Sequence, residues 1–303
     1  MPTIDTNGIT LTYDTQGDSN GKALVLIAGL GLQLISWPEA FCRELADQGF
    51  HVIRFDNRDS GLSTKLEHLG KPNLPMAVFK SMFHLPLFPG YTLQDMARDT
   101  IGLLDGLGID KAHIVGASMG GMIAQILAAD HPERVSTLTS IMSTSGRPGL
   151  PGPMPSARDA LFSRPENPRN MQSVIEYFVR AYRTIGSPKY PVPDEVLREQ
   201  VTRSVRRNVC PQGTARQMMA VMASGDRSPA LRKISVPTLV IHGADDPLVP
   251  LACGRDTARW IPGAVLHEVE GMGHDIPPAL EASLAKLIAT HCKGEPGPRA
   301  RRA

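Results

Sequence analysis

The chain lacks the features that would assign it to several large protein classes. Its 303 residues hold four cysteines, Cys42, Cys210, Cys253 and Cys292, far apart and without a CxxC or Cys/His cluster. This spacing argues against both a disulfide framework and a zinc site. Long hydrophobic runs are missing too. The apolar run Met76 to Phe88 is interrupted by Lys80, His84 and Pro86 and is too short to span a bilayer, so stable membrane insertion is not expected. The body of the chain carries no basic surplus. The formal net charge is +2, but the tail KGEPGPRARRA holds Lys293, Arg299, Arg301 and Arg302 against Glu295 alone. What remains is nearly neutral, which disfavours a nucleic-acid partner. The start, MPTIDTNGITLTYDTQG, is polar and reads as a strand and turn, not as a signal peptide, so a cytoplasmic location is expected. No internal repeat is visible.

Residues 114 to 121, IVGASMGG, are the most informative segment present. A β-rich run ending at Val115 meets Gly116, Ser118 and Gly120 in GxSxG spacing, and an apolar stretch with helical periodicity follows at Met119. A nucleophile elbow needs this strand-turn-helix context. Neighbours without a Cβ let strand and helix close around a serine at strained backbone angles, and its hydroxyl then sits at the positive end of the helix.

An elbow implies partners downstream. VPTLVIHGADDPLVP (Val236 to Pro250) is a buried parallel-type strand ending in a Gly, Asp and Pro turn that contains Asp246. VLHEVEGMGHDIP (Val265 to Pro277) is another strand, ending in a Gly271 and Gly273 loop that presents His274. Serine, acid and histidine thus follow one another in the order of an α/β-hydrolase triad.

With ALVLIAGLG (Ala23 to Gly31) and VIRFDNRDSGLS (Val52 to Ser63), the chain resembles an α/β-hydrolase over nearly its whole length. Within that superfamily it is most similar to small-molecule esterases, in particular bacterial methylesterases of anthracycline-type (aclacinomycin-type) polyketides. The resemblance implies a mostly parallel central sheet with helices on both faces and an inserted helical cap. It also implies cleavage of a carboxylic ester.

The chemistry can be reasoned independently of the resemblance. A serine hydroxyl attacks only if a base takes its proton, and a neutral imidazole, here His274, is suited to this. Asp246 would hold the imidazole tautomer and stabilise the imidazolium. The oxyanion needs donors already in place: the N–H of Met119 and one from the loop after the Ala23 to Ala28 strand. Leu30 is the expected second donor, with Gly29 as the alternative, because Ala28 occupies the position where histidine is frequent in this loop. No cofactor or metal is required.

Other residues compete for these roles. Asp245 is a rival acid, and spacing to Pro250 favours Asp246. His242, at a strand end, is the rival base. Asp56, Arg58 and Asp59 fit turn-stabilising salt bridges or hydrogen bonds better than catalysis. The cap holds thirteen Arg and Lys against seven Asp and Glu, and Arg206 and Arg207 fit a solvated helix face better than the steering of an anionic substrate.

With 42% hydrophobic residues the chain can bury a sizeable core. Expected strands are Ile9 to Tyr13, Ala23 to Ala28, His51 to Phe55, Ala112 to Val115, Arg134 to Ile141, Val236 to Ile241 and Ala264 to Val269. Core helices fit Pro38 to Gln48, Leu93 to Leu107, Met119 to Ala129, Leu251 to Trp260 and Pro278 to Thr290, and cap helices fit Asn170 to Thr184, Asp194 to Asn208 and Pro211 to Ser224. The organisation is then a core over 1–144 with an insert at 66–90, a helical cap over 145–229, a second core part over 230–292 and a disordered tail over 293–303. The insert reads as a second lid, a dimer contact or a lipid-touching surface, so a homodimer stays open. Ser118 argues against dehalogenase and epoxide hydrolase chemistry, which place Asp at that position. Lactonases, carbon–carbon bond hydrolases and cofactor-free perhydrolases share the residues. A non-catalytic ligand receptor would need no working base.

Overall fold

The computed structural model describes residues 1–83 and 85–295; the side chains of Ser81 and Met82, His84 of the apolar insert, and residues 296–303 of the expected tail lie outside the description. Asn7 and Gly8, at φ 48° and 76°, form the Asn-Gly turn of an N-terminal hairpin. It joins β1 (Thr3–Thr6) to β2 (Ile9–Gln16) in antiparallel register. The chain continues through β3 (Lys22–Ile27), α1 (Glu39–Asp47), β4 (Phe50–Phe55), α2 (Leu74–Met82), α3 (Leu93–Gly106), β5 (Ala112–Ala117), α4 (Met119–Asp130) and β6 (Val135–Ile141). Five helices then interrupt the alternation: α5 (Pro155–Phe162), α6 (Met171–Ile185), α7 (Asp194–Arg207), α8 (Pro211–Ser224) and the single turn α9 (Ser228–Leu231). The core resumes with β7 (Thr238–Gly243), α10 (Leu251–Trp260), β8 (Val265–Val269) and α11 (Pro278–Lys293).

The strands form one sheet in the order β1-β2-β4-β3-β5-β6-β7-β8. β2 pairs antiparallel with β4, and every pairing from β4 to β8 is parallel. In β3 successive residues serve opposite faces: Val25 and Ile27 join the core beneath α3 and α4, while Leu24 and Leu26 join the core beneath α1 and α11. A strand covered on both sides must be apolar throughout, which explains the unbroken run ALVLI. Among the described residues no helix is long and apolar enough to cross a membrane.

Several observed elements depart from the expected ones. Thr3–Thr6 is a full edge strand, although the expected strands begin at Ile9. β7 opens at Thr238 instead of Val236, because Pro237 has no N–H for the ladder and contributes only its carbonyl, to Leu138. α2 and α5 are absent from the expected helices; both lie in Pro-rich stretches whose turn residues mask a short helix. Lys293, expected to begin the tail, is the last residue of α11, which Gly294 ends in the left-handed conformation at φ 71°.

Candidate active site

Strand β5 and helix α4 meet at Ser118, whose backbone takes φ 55° and ψ −119°. A non-glycine residue there is strained and persists only where its surroundings over-determine it. They do: Ser118 N–H donates to the Ile141 carbonyl at 2.9 Å, and the Ser143 hydroxyl donates to the Ser118 carbonyl at 2.8 Å. The motif glycines permit the close crossing. A Cβ on Gly116 would lie 2.1 Å from the Gly120 carbonyl oxygen, and one on Gly120 would lie 2.0 Å from that of Ile27.

Asp246 and His274 come from the loops after β7 and β8, at the same C-terminal edge of the parallel sheet. His274 Nδ1 lies 2.7 Å from Asp246 Oδ2, and the backbone N–H groups of Leu248 and Val249 donate to Oδ1 at 2.9 and 2.8 Å. An ionised carboxylate only accepts, so Nδ1 carries the proton and Nε2 is left with its lone pair free. Among the described residues the Ser118 hydroxyl has no hydrogen-bond partner. Contacts between nucleophile and base are commonly loose until substrate arrives.

The rivals occupy other posts. Asp245 is exposed and accepts from Gly271 N–H at 2.8 Å, tying its loop to the one that carries His274. His242 is fully buried beside Gly254, with Nε2 donating to the Val249 carbonyl at 2.7 Å. Burial pushes its pKa below the ordinary value, so it stays neutral and steadies the turn that holds Asp246.

Met119 opens α4, so its N–H is one of those a helix leaves without an internal partner. In the loop after β3, Leu32 N–H donates to the Gly29 carbonyl at 3.2 Å and Gly31 N–H donates to Gln217 Oε1 at 2.7 Å. Leu30 and Gly29 keep uncommitted N–H groups among the described residues. Gly29 also approaches the elbow, since a Cβ there would lie 3.3 Å from Ser118 Cβ.

Asp56, Arg58 and Asp59 are structural, as expected, and reach further than a local turn. Asp56 accepts from Leu34 N–H at 2.7 Å and Leu62 N–H at 2.8 Å and pairs with Arg207 at 2.7 Å. Arg58 grips Asp99 with two bonds of 2.6 Å. Asp59 receives Arg216 through bonds of 2.7 and 2.6 Å and the Tyr91 hydroxyl at 2.9 Å. Arg207 therefore corrects the expectation of a solvated face: its side chain is 12% exposed and joins α7 to the core.

Sequence reading missed Gln33, Ser187, Arg216 and Gln217. Gln33 donates to the carbonyls of Ser204 and Asn208, and the Ser187 hydroxyl accepts from Gly273 N–H at 2.9 Å. In α8 the buried residues Gly213, Arg216, Gln217 and Ala220 recur at helical spacing, but two of the four are polar and give no sign of burial in the sequence. Two polar residues on that stripe must have buried partners.

A model of the α/β hydrolase fold family matches residues 22–277. The chain is 30% identical to rhodomycin D methylesterase DnrP of Streptomyces peucetius over 97% of its own length and 99% of that protein. The identity and coverage are the same for rhodomycin D methylesterase DauP of Streptomyces sp. (strain C5). The solved enol-lactonase from Burkholderia xenovorans LB400 superposes with a TM-score of 0.73 at 25% identity, covering 96% of this chain and 100% of that one. A family model spanning the sheet from β3 to the loop beyond β8, and relatives alike from end to end, agree with the strand order and the elbow: the chain belongs to the α/β-hydrolase fold family.

Proposed function

We propose that the chain hydrolyses a carboxylic ester of a small or medium, largely apolar substrate through a Ser118 acyl-enzyme. The hydrogen bond between Asp246 and His274 carries this reading, because it leaves Nε2 as a free base at the same sheet edge as the strained turn that carries Ser118. Nε2 takes the hydroxyl proton as Ser118 Oγ attacks the ester carbonyl, and Asp246 stabilises the imidazolium that forms. The tetrahedral oxyanion accepts from the N–H groups of Met119 and Leu30. Collapse expels the alcohol with the proton from His274, and water then releases the acid by the same steps. The chemistry is proton transfer and acyl transfer throughout, so Ser118, Asp246, His274 and the two N–H groups suffice.

The helical insertion between β6 and β7 acts as a cap over this edge and excludes water. The 66–90 insert extends it: Ala77 of α2 is buried, and a groove of about 230 Å³ between α2 and α8 is lined by Met76, Phe88 and Met219 among others. Similarity to the rhodomycin D methylesterases, 30% identity over 97% of the chain, supports a polyketide methyl ester as substrate class. A lactone is the second reading, favoured by the likeness to the enol-lactonase, since ring opening of an internal ester uses the same groups.

A panel of p-nitrophenyl esters graded by acyl length, polyketide methyl esters and lactones tests the proposal, with Ser118→Ala as control. Turnover in the variant is expected to fall on the order of 10³-fold or more. Retention of most activity would move the nucleophile elsewhere, and a preference for lactones over every open ester would favour the second reading.

A further inference from the structure

Gln217 is fully buried, and both ends of its amide are engaged. Oε1 accepts the Gly31 N–H at 2.7 Å and Nε2 donates to the Arg58 carbonyl at 2.8 Å. The partners settle which end is oxygen, because an N–H cannot face an N–H nor a carbonyl a carbonyl. The residue belongs to α8 of the helical insertion, whereas Gly31 and Arg58 belong to core loops after β3 and β4. The insertion also presses on Gly31: it sits at φ 68°, and a Cβ there would lie 2.8 Å from Thr214 Oγ1, one turn before Gln217. On the core side, Asn57 donates to the Ala28 carbonyl at 3.1 Å and the Ser60 hydroxyl donates to the Leu32 carbonyl at 2.6 Å. The loop is thus held at Ala28 and Leu32 by the core and in its middle by Gln217.

We propose that Gln217 is a positioning residue for the oxyanion hole, supplied by the cap. The proposal rests on the reading of Leu30 as an oxyanion donor. The Leu30 N–H lies in the Gly29–Leu30 peptide, whose carbonyl accepts from Leu32 N–H at 3.2 Å, and the bond from Gly31 N–H to Gln217 holds the next peptide plane, so with both planes held the φ and ψ of Leu30 between them are restrained and its N–H keeps its aim. Donors aimed in advance at the developing negative charge cost no reorganisation during reaction, which is why such an anchor affects the transition state more than substrate binding. The cap then forms part of the catalytic frame, and α8 cannot lift from the core without releasing the loop.

The test compares wild type with Gln217→Met, similar in size but without either hydrogen bond, and Gln217→Glu, which keeps an acceptor for Gly31. Three quantities are read: kcat/KM on a p-nitrophenyl ester, the inhibition constant of a trifluoromethyl ketone, which forms an oxyanion on Ser118, and that of a ketone too unactivated to do so. For Gln217→Met, kcat/KM is expected to fall about 10- to 100-fold, somewhat less than loss of a whole oxyanion donor. The trifluoromethyl ketone is expected to weaken by the same factor, the plain ketone to change less than about twofold, and Gln217→Glu to lie between Met and wild type. A folded Gln217→Met enzyme with unchanged kcat/KM, or one that loses both ketones equally, overturns the proposal. If the Met variant does not fold, the same comparison is made with Gln217→Glu, where equal weakening of both ketones overturns it. Labelling of wild-type Ser118 by a fluorophosphonate separates the two levels: with labelling, these failures count against Gln217 alone, and without it the ester hydrolase reading falls and takes the proposal with it.

Discussion

Asp245 and Asp246 are chemically identical neighbours, and the fold separates them completely. Asp246, 3% exposed, receives His274 Nδ1 and two backbone N–H groups, while Asp245 faces solvent and braces Gly271. Asp246→Asn is expected to cost roughly 10³- to 10⁴-fold in kcat, because an amide nitrogen or a wrong imidazole tautomer faces His274. Asp245→Asn is expected to stay within about tenfold, since its amide oxygen still accepts from Gly271 N–H and the interaction is worth only about 1 kcal/mol. Parallel kcat measurements check both, and equal losses would remove Asp246 from its assigned role. His242 gives a sharper contrast with His274. His242→Gln is expected to lower stability by about 1–3 kcal/mol if the Val249 carbonyl loses its donor, and to leave the acid limb of the pH–rate profile unmoved. A shifted limb would make His242 the base. Residue chemistry in the sequence was enough to name the four candidates. Spacing to Pro250 favours Asp246 over Asp245, and the fold adds which carboxylate the histidine loop reaches.

At the level of elements, α8 joins the insertion to the core with charge as well as amide. Arg216 and Asp59, 2% and 0% exposed at their side chains, form a buried pair, so removing one partner leaves an uncompensated charge. Arg216→Met is expected to lower stability by about 3–5 kcal/mol, measurable by urea unfolding. Burial alone would raise the Asp59 pKa, but hydrogen bonds from Arg216, Leu66 N–H and Tyr91 outweigh it and hold the carboxyl below its ordinary value of 3.8. A carboxyl depressed in the folded state contributes stability that is fully present above 3.8 and is lost as pH falls through the lower folded value. Between neutral pH and pH 5 this pair should therefore add no slope to the stability curve. Below 3.8 wild type should lose stability faster than Asp59→Asn. A parallel decline of the two proteins would show that Asp59 does not contribute. The amphipathic helices α6 and α7 were legible because Val174, Ile175 and Val179, and Leu197 and Val201, repeat at helical spacing. The buried face of α8 was not, because half of its stripe is polar and reads as surface until its partners are known.

Across the whole molecule, the insertion is bound to the core at several loops. Gln217 and Arg207 engage the loops after β3 and β4, Gln33 of the loop after β3 donates to the Ser204 and Asn208 carbonyls of the insertion, Ile185 accepts the His274 N–H at 2.7 Å and Ser187 accepts that of Gly273 at 2.9 Å. Calorimetry is therefore expected to give one cooperative transition with equal calorimetric and van't Hoff enthalpies. A separate low-temperature transition for the insertion would mean that these ties are weak in solution. They also imply that substrate enters past the insertion, or past the 66–90 segment beside it, without the insertion swinging away as a unit.

The sequence by itself determined the strand-to-helix elbow, the chain order of serine, acid and histidine and the alternation that builds a parallel sheet, because each depends on spacing, backbone freedom and apolar periodicity within a few residues. Only the tertiary structure decided which aspartate meets the histidine, that Arg207 pairs with Asp56 instead of facing solvent, and that an amide 186 positions away holds Gly31. These outcomes depend on how distant segments pack, and a buried hydrogen bond or ion pair has no signature in the residues next to either partner.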